Sequence, residues 1–189
     1  MYRTDAADAS GLTPSGRGNL ESDVVNYQPA ALTLAAKRGV DIVLALLFIV
    51  LFLPLFVAVA IGVLLSSPGP IFYVQPRAGR GGRDFKFVKF RSMRTDSDEV
   101  LSAFLDSDQE AKKRWDKFQK IDKDPRITRF GAFIRRSSLD ELPQFWNVLK
   151  GDMSIIGPRP CMLQQKDLYG PYWAAYCAVK PGITGLWQV

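Results

Sequence analysis

A chain of 189 residues with a formal charge of +6 and an isoelectric point near 9.4 is long enough for one domain with an appendage, and it suits anionic partners such as nucleic acid, lipid headgroups or phosphorylated substrates. It contains no histidine, which excludes imidazole bases, imidazole metal ligands and Ser-His or Cys-His nucleophile pairs. Catalysis would fall to Asp, Glu, Lys, Arg, Tyr, Ser or the two cysteines; Cys161 and Cys177 lack a CxxC or metal-ligand spacing and read as two reduced, buried thiols of a cytosolic domain.

Residues 1–30 are rich in Ser, Gly, Asp and Asn without an apolar period, and read as a disordered tail. They do not read as a signal peptide, because the apolar run starts too late and no small-residue cleavage motif follows it. The charge is uneven. Residues 1–36 carry two arginines against four acids, net −2, whereas residues 77–94 carry seven cations against Asp84, net +6.

From Ile42 to Leu65 there are 24 residues without a charge, nearly all Leu, Ile, Val, Phe or Ala. At about 1.5 Å per residue that is roughly 36 Å of helix, enough for a hydrocarbon core of about 30 Å. Pro54 sits in the middle, and both flanks are basic: Lys37 and Arg38 before, the net +6 stretch after. A single span would place one basic flank outside, against the positive-inside tendency. A hairpin bent at Pro54 keeps both in the cytoplasm, each half about 18 Å deep. Sequence pattern alone leaves both topologies open. The membrane unit is read as residues 31–67 and the catalytic domain as residues 68–189.

Pro68-Gly69-Pro70 ends the helix, and "IFYVQ" and "FKFVKF" around "GRGG" predict a β-hairpin. Its basic residues interleave with Phe72, Tyr73, Phe85, Phe87 and Phe90. Such strands can bind nucleic acid, but next to an apolar segment they suit headgroups better. Residues 95–123 predict an amphipathic surface helix, with Leu101, Phe104 and Leu105 on one face. "DKDPRITRFGAFIRR" predicts a turn and a short helix. The aromatic-rich Tyr169–Tyr176 stretch and the turn-rich "KPGITGLWQV" close the chain.

The stretch "RRSSLDELPQFWNVLKGDMSIIGPRP" sets Asp140 and Glu141 side by side. "SLDE" matches a capping box, and Asp140 alone matches an N-cap with Pro143 in the first turn. Chemistry is the other reading. A carboxylate at a helix start stays ionised in the dipole, which also attracts phosphate. Arg135, Arg136 and Arg159 lie close in sequence. An ionised Asp among arginines can attack phosphorus, and a Glu pointing elsewhere can hold a hard cation such as Mg²⁺.

"KRGVD", "PGPIFYVQPRAGRGGRDFKFVKFRSM", "DPRITRFGAFIRRSSLDELPQFWNVLKGDMSIIGPRP" and "KPGITGLWQV" occur in that order from Lys37 to Val189. On these residues the chain resembles the bacterial sugar transferases, the monotopic polyprenol-phosphate sugar-1-phosphate transferases, and most resembles the small exopolysaccharide-initiating members. The resemblance implies an α+β protein: an N-terminal re-entrant membrane helix, then a small, mainly helical cytosolic catalytic domain with a short β-hairpin. It implies a bend at Pro54, where this chain has Leu53-Pro54 in place of the family's usual Ser-Pro. It implies Asp140 as the nucleophile on a UDP-sugar, releasing UMP and leaving a sugar-phosphoryl aspartate that polyprenyl phosphate resolves. By the same resemblance, Glu141 is the Mg²⁺ ligand, Arg135 and Arg159 contact phosphate, and Lys89 and Arg91 are site-facing cations. The implied location is the cytoplasmic face of the bacterial inner membrane, with membrane lipid and exopolysaccharide assembly proteins as further partners and no nucleic acid.

Two other readings stand beside this one: a membrane phosphohydrolase of nucleoside-diphosphate sugars, and an inactive, membrane-anchored assembly partner. Relatives in the family continue past "GLWQV", so the C-terminus reads as truncated. That predicts exposed apolar surface around Leu186 and Trp187, costing several kcal/mol at about 25 cal/mol per Å².

Overall fold

The computed structural model describes residues 31–118, 121 and 124–185. The N-terminal tail, Leu186 and Trp187 lie outside the described residues.

The apolar segment forms two helices, α1 (Ala31–Leu51) and α2 (Leu53–Ser66), bent by 65°. Neither helix alone is long and apolar enough to cross a membrane; the bent pair together meets that length and composition. The break falls at Phe52, not at Pro54, which occupies the first turn of α2. Proline lacks an N–H, and its ring crowds the carbonyl four residues back, so the chain must turn before it. Around the break, Phe52 N still donates to Phe48 O at 2.9 Å and Phe56 N to Phe52 O at 3.0 Å. Phe52 thus stays hydrogen-bonded on both sides of the bend.

The expected hairpin is present: β1 (Phe72–Ala78) pairs antiparallel with β2 (Asp84–Phe90), Phe72 opposite Phe90 and Ala78 opposite Asp84. The predicted helix over 95–123 is instead two, α3 (Ser97–Ser107) and α4 (Gln109–Phe118). Asp108 breaks it, because its Oδ1 accepts from Glu110 N and Ala111 N, both at 2.9 Å, and so caps a new helix. The short helix ending in the basic pair is α5 (Arg129–Arg136), and a 3₁₀ turn over Leu139–Glu141 leads to α6 (Gln144–Lys150).

The C-terminal part holds two strands that local pattern does not reveal. β3 (Ser154–Ile156) pairs parallel with β4 (Gly182–Thr184). Between them lie α7 (Lys166–Tyr169) and α8 (Trp173–Ala178). Glycine is required at Gly182, where a Cβ would stand 2.1 Å from Gly157 N. Tyr176 on α8 donates its hydroxyl hydrogen to Ala78 O at 2.8 Å and accepts from Cys161 N at 3.2 Å, tying this part to β1. Both cysteines are free thiols. Cys161 is buried as expected, but Cys177 is only half-buried.

The bent helices are docked, not loose. On α1, Arg38 donates to Val148 O at 2.6 Å and Leu149 O at 2.8 Å, the open carbonyls of α6. Phe48 stacks on Phe145 of α6 with centroids 4.0 Å apart. On α2, Val59 and Val63 pack with Phe90, Ile134 and Leu142 in one buried cluster. Gly62 admits the Phe130 ring of α5: a Cβ there would sit 2.3 Å from its ring carbon. One helix of the bent pair thus rests on α6 and the other on α5, the two helices that flank the Asp140 turn.

Candidate active site

Asp140 and Glu141 sit in a 3₁₀ turn, with neighbours about 120° apart, and this separates their environments. Asp140 is buried and Glu141 is half-buried, yet both reach Lys89 on β2, at 3.8 Å from Asp140 Oδ2 and 2.5 Å from Glu141 Oε1. Neither capping reading holds. Ser138 makes no side-chain cap, Pro143 stands at the N-cap position of α6, and Asp140 precedes that helix. Ser138 instead takes the left-handed conformation, φ 57°, which is strained for a non-glycine residue. That sharp turn points Asp140 inward, while Leu142 anchors the exit in the α2 cluster.

Lys89 is placed by α6. Asn147, fully buried, donates from Nδ2 to Lys86 O at 2.7 Å and accepts from Val88 N at 3.2 Å, clamping β2 beside the turn. A cavity of about 80 Å³ opens next to the lysine, lined by Arg77, Phe87, Lys89, Glu141, Gln144 and Arg159 among others. Two buried donors in that lining, Arg77 Nε and Gln144 Nε2, have no hydrogen-bond partner. Unpaired buried donors are costly, so the cavity is prepared for acceptor oxygens.

The predicted site residues are only partly brought together. Lys89, Glu141 and Arg159 share the cavity, with Asp140 behind Lys89. Arg135 approaches from α5; its Nε donates to Ser92 Oγ at 2.7 Å, and its charge acts on Asp140. Arg91 is a correction. It is buried and donates to Pro68 O and Ser67 O, both at 2.6 Å, so it closes the end of α2 and does not face the cavity. The pull of unsatisfied carbonyls at a helix C-terminus explains that placement.

A second correction concerns charge. Asp140 lies in the 3₁₀ turn before α6 and not in that helix's first turn, and burial pushes its carboxyl above the usual Asp range. Lys89 and then Arg135 oppose the shift, Glu141 adds to it, and burial outweighs them.

The bacterial sugar transferase family model matches residues 32–189, nearly the whole described chain. The chain belongs to the bacterial sugar transferase family. The chain is 49% identical over 153 residues to the UDP-galactose-lipid carrier transferase of Erwinia amylovora, covering 81% of the chain and 32% of the relative. It is 42% identical over 154 residues to the exopolysaccharide production protein ExoY of Rhizobium meliloti, covering 82% and 68% respectively. It is 46% identical over 153 residues to the undecaprenyl-phosphate galactose phosphotransferase of Salmonella typhimurium, covering 81% and 32%. The chain thus spans about a third of the length of two of these relatives and about two thirds of the third.

Sequence reasoning missed Arg77, Gln144 and Asn147. Arg77 lay in a strand with many cations, and Gln144 and Asn147 looked like ordinary helix residues. Only burial without a partner, or a clamp onto a distant strand, distinguishes them. For a metal, the half-buried Glu141 carboxylate at the cavity is a hard oxygen donor, which suits a hard cation co-held by phosphate oxygens. No group of three or more acids or cysteines forms among the described residues, so the phosphate would have to complete the shell, and Lys89 would have to yield Glu141.

A nucleophilic Asp140 must be ionised, and its carboxyl titrates above the usual value of about 3.9. The acid limb of the rate–pH profile should therefore lie above the ordinary Asp range. Lys89→Met should raise it further, because it removes the largest opposing influence. A limb at the ordinary value, or one unmoved by Lys89→Met, would count against Asp140 as the ionising group.

Proposed function

We propose that this chain transfers a sugar-1-phosphate from a UDP-sugar to a polyprenyl phosphate, with Asp140 as nucleophile. One observation carries the reading: Lys89 bridges a buried and a half-buried carboxylate at a cavity holding two further arginines and two unpaired donors. Relatives named for UDP-galactose–lipid carrier and undecaprenyl-phosphate transfer support the substrate class.

The diphosphate enters the cavity. Arg77, Arg159 and Gln144 take phosphoryl oxygens, and the phosphate draws Lys89 away from Asp140. An Asp140 carboxylate oxygen then attacks the phosphorus bonded to the sugar, and the P–O bond to UMP breaks with its electron pair on UMP. The phosphate oxygen of the polyprenyl acceptor attacks the same phosphorus, and the aspartate leaves as free carboxylate. Glu141 would hold Mg²⁺, which when bound supplies positive charge to the phosphoryl oxygens. Glu141→Gln should raise the Mg²⁺ requirement for UMP release; an unchanged requirement would remove the metal role.

The deciding assay is a panel of UDP-sugars with polyprenyl phosphate and membranes containing the chain. UMP release with a labelled lipid product supports transfer. Free sugar phosphate without labelled lipid means hydrolysis, and neither product means a non-catalytic assembly role.

We also read the bent helix pair as re-entrant at the cytoplasmic face. Outward apolar side chains support this: Val43, Leu47, Val50, Leu51, Ile61 and Leu65 are each at least half exposed. Cysteines introduced at Ala31 and Asp98 should both escape an impermeant reagent in intact cells. Labelling of one with protection of the other would mean a span.

A further inference from the structure

A second cavity, of about 680 Å³, shares no lining residue with the cavity beside Lys89 and Glu141. It lies between the first turns of α1, strand β3 and the end of α8. Its volume is that of a small-molecule site. Four cations line it, Lys37, Arg38, Arg80 and Lys180, against the single acid Asp41.

That acid is already saturated. Asp41 accepts from Ser154 Oγ and Ile155 N, both at 3.0 Å, and pairs with Lys37 at 3.4 Å. Arg38 is spent on the α6 carbonyls. Arg80 and Lys180 remain, with no ion pair to any acid among the described residues. The Lys180 ammonium and the Arg38 guanidinium crowd the same glycine: a Cβ on Gly151 would stand 3.6 and 3.5 Å from their nitrogens. Burial, and then the neighbouring Arg38, Arg80 and Lys37, lower the Lys180 pKa against the opposing charge of Asp41. An anion placed there relieves that repulsion.

The rest of the wall is apolar. Leu34, Ile156 and Val179 line it and are substantially exposed. Among the described residues, no aromatic side chain lines the cavity. On α1 the cavity is lined from Leu34 to Asp41, the residues that lead directly into the uncharged run beginning at Ile42, which is where headgroups lie if the bent pair is embedded.

We propose that this cavity binds the phosphate of an anionic glycerophospholipid, with Arg80 and Lys180 on the phosphate and the acyl region against Leu34, Ile156 and Val179. Basic pockets beside membrane helices on the cytoplasmic side take such headgroups. The site rests on the membrane reading above. It is distinct from the acceptor-lipid site, because the acceptor phosphate must reach Asp140.

The test uses the full chain in nanodiscs of phosphatidylcholine with roughly a fifth phosphatidylglycerol. Lipid retained on extraction is counted by native mass spectrometry. The native chain should retain phosphatidylglycerol in preference to phosphatidylcholine. Arg80→Gln/Lys180→Gln should lose that retention by about tenfold, since each cation near a charged lipid contributes several-fold. Lys180→Arg should keep it, and Lys112→Gln/Lys113→Gln, which removes two charges elsewhere, should leave it unchanged. Equal loss in the Lys112/Lys113 variant, or none in the Arg80/Lys180 variant, overturns the site. Displacement by millimolar inorganic phosphate or by polyprenyl phosphate overturns the assignment to a glycerophospholipid. A chain that inserts but retains lipid without preference overturns this proposal alone, whereas one that does not enter the nanodisc overturns the membrane reading and the site with it.

Discussion

Asp140→Asn should abolish sugar-phosphate transfer, with UMP release falling by about 10⁴-fold or more, the scale seen when a covalent nucleophile is removed. The amide has nearly the shape of the carboxylate but cannot attack phosphorus. Folding should survive. Asp140 is buried, and its raised pKa means the fold prefers the neutral form. The sign follows from linkage: a carboxyl whose pKa is raised on folding contributes stability while protonated, and loses it as pH rises through the folded value. At neutral pH the ionised Asp140 therefore burdens the fold, and a neutral isostere keeps or raises the thermal midpoint. The paired measurements are UMP release and thermal denaturation at pH 7. Full activity in Asp140→Asn would remove the nucleophile assignment. A large drop in the midpoint would mean that the carboxylate stabilises the turn after all.

Asp41→Ala should have the largest effect on stability outside the site. Asp41 is buried in α1 and accepts from Ser154 Oγ and Ile155 N of β3, with Lys37 beside it. Without it, buried donors lose their acceptor, at about 1–3 kcal/mol each. For the two donors, a total of about 2–6 kcal/mol is a large share of a typical net stability of about 5–15 kcal/mol. The expected result is low accumulation and a lower thermal midpoint, with activity per folded molecule largely kept at low temperature. A purely flanking role predicts the opposite. Removing a charge beside an apolar run would only deepen insertion, leaving the midpoint where it was, and that outcome would show that α1 is not anchored through Asp41.

These two residues illustrate different kinds of legibility. Asp140 was visible because acids beside arginines and a stiff Gly-Pro-Arg-Pro turn form a local pattern. Asp41 was visible only as the last charge before an apolar run; its partners lie 113 and 114 residues away. Lys37 and Arg38 likewise read as a membrane flank, but Arg38 holds the end of α6. Arg91, in the same motif as Lys89, was wrongly sent toward the phosphate. The two are neighbours in sequence on opposite sides of one structural decision: Lys89 reaches the carboxylates, and Arg91 reaches the carbonyls that end α2.

By itself, the sequence determined the elements whose causes are local: the apolar run and its proline, the hairpin with its glycine turn, the short basic helix, the paired acids and the absence of histidine. Those depend on periodicity, on proline and glycine geometry, and on residue chemistry within a few positions. Tertiary structure decided what the elements do to one another. It set the 65° bend so that α1 and α2 rest on the two helices around Asp140, it paired β3 with β4 across 28 residues, and it buried Asp140 deeply enough to raise its pKa. The reason is physical. Burial, desolvation and long-range hydrogen bonds are properties of what surrounds a residue in space, and no local spacing encodes which distant donor will face it.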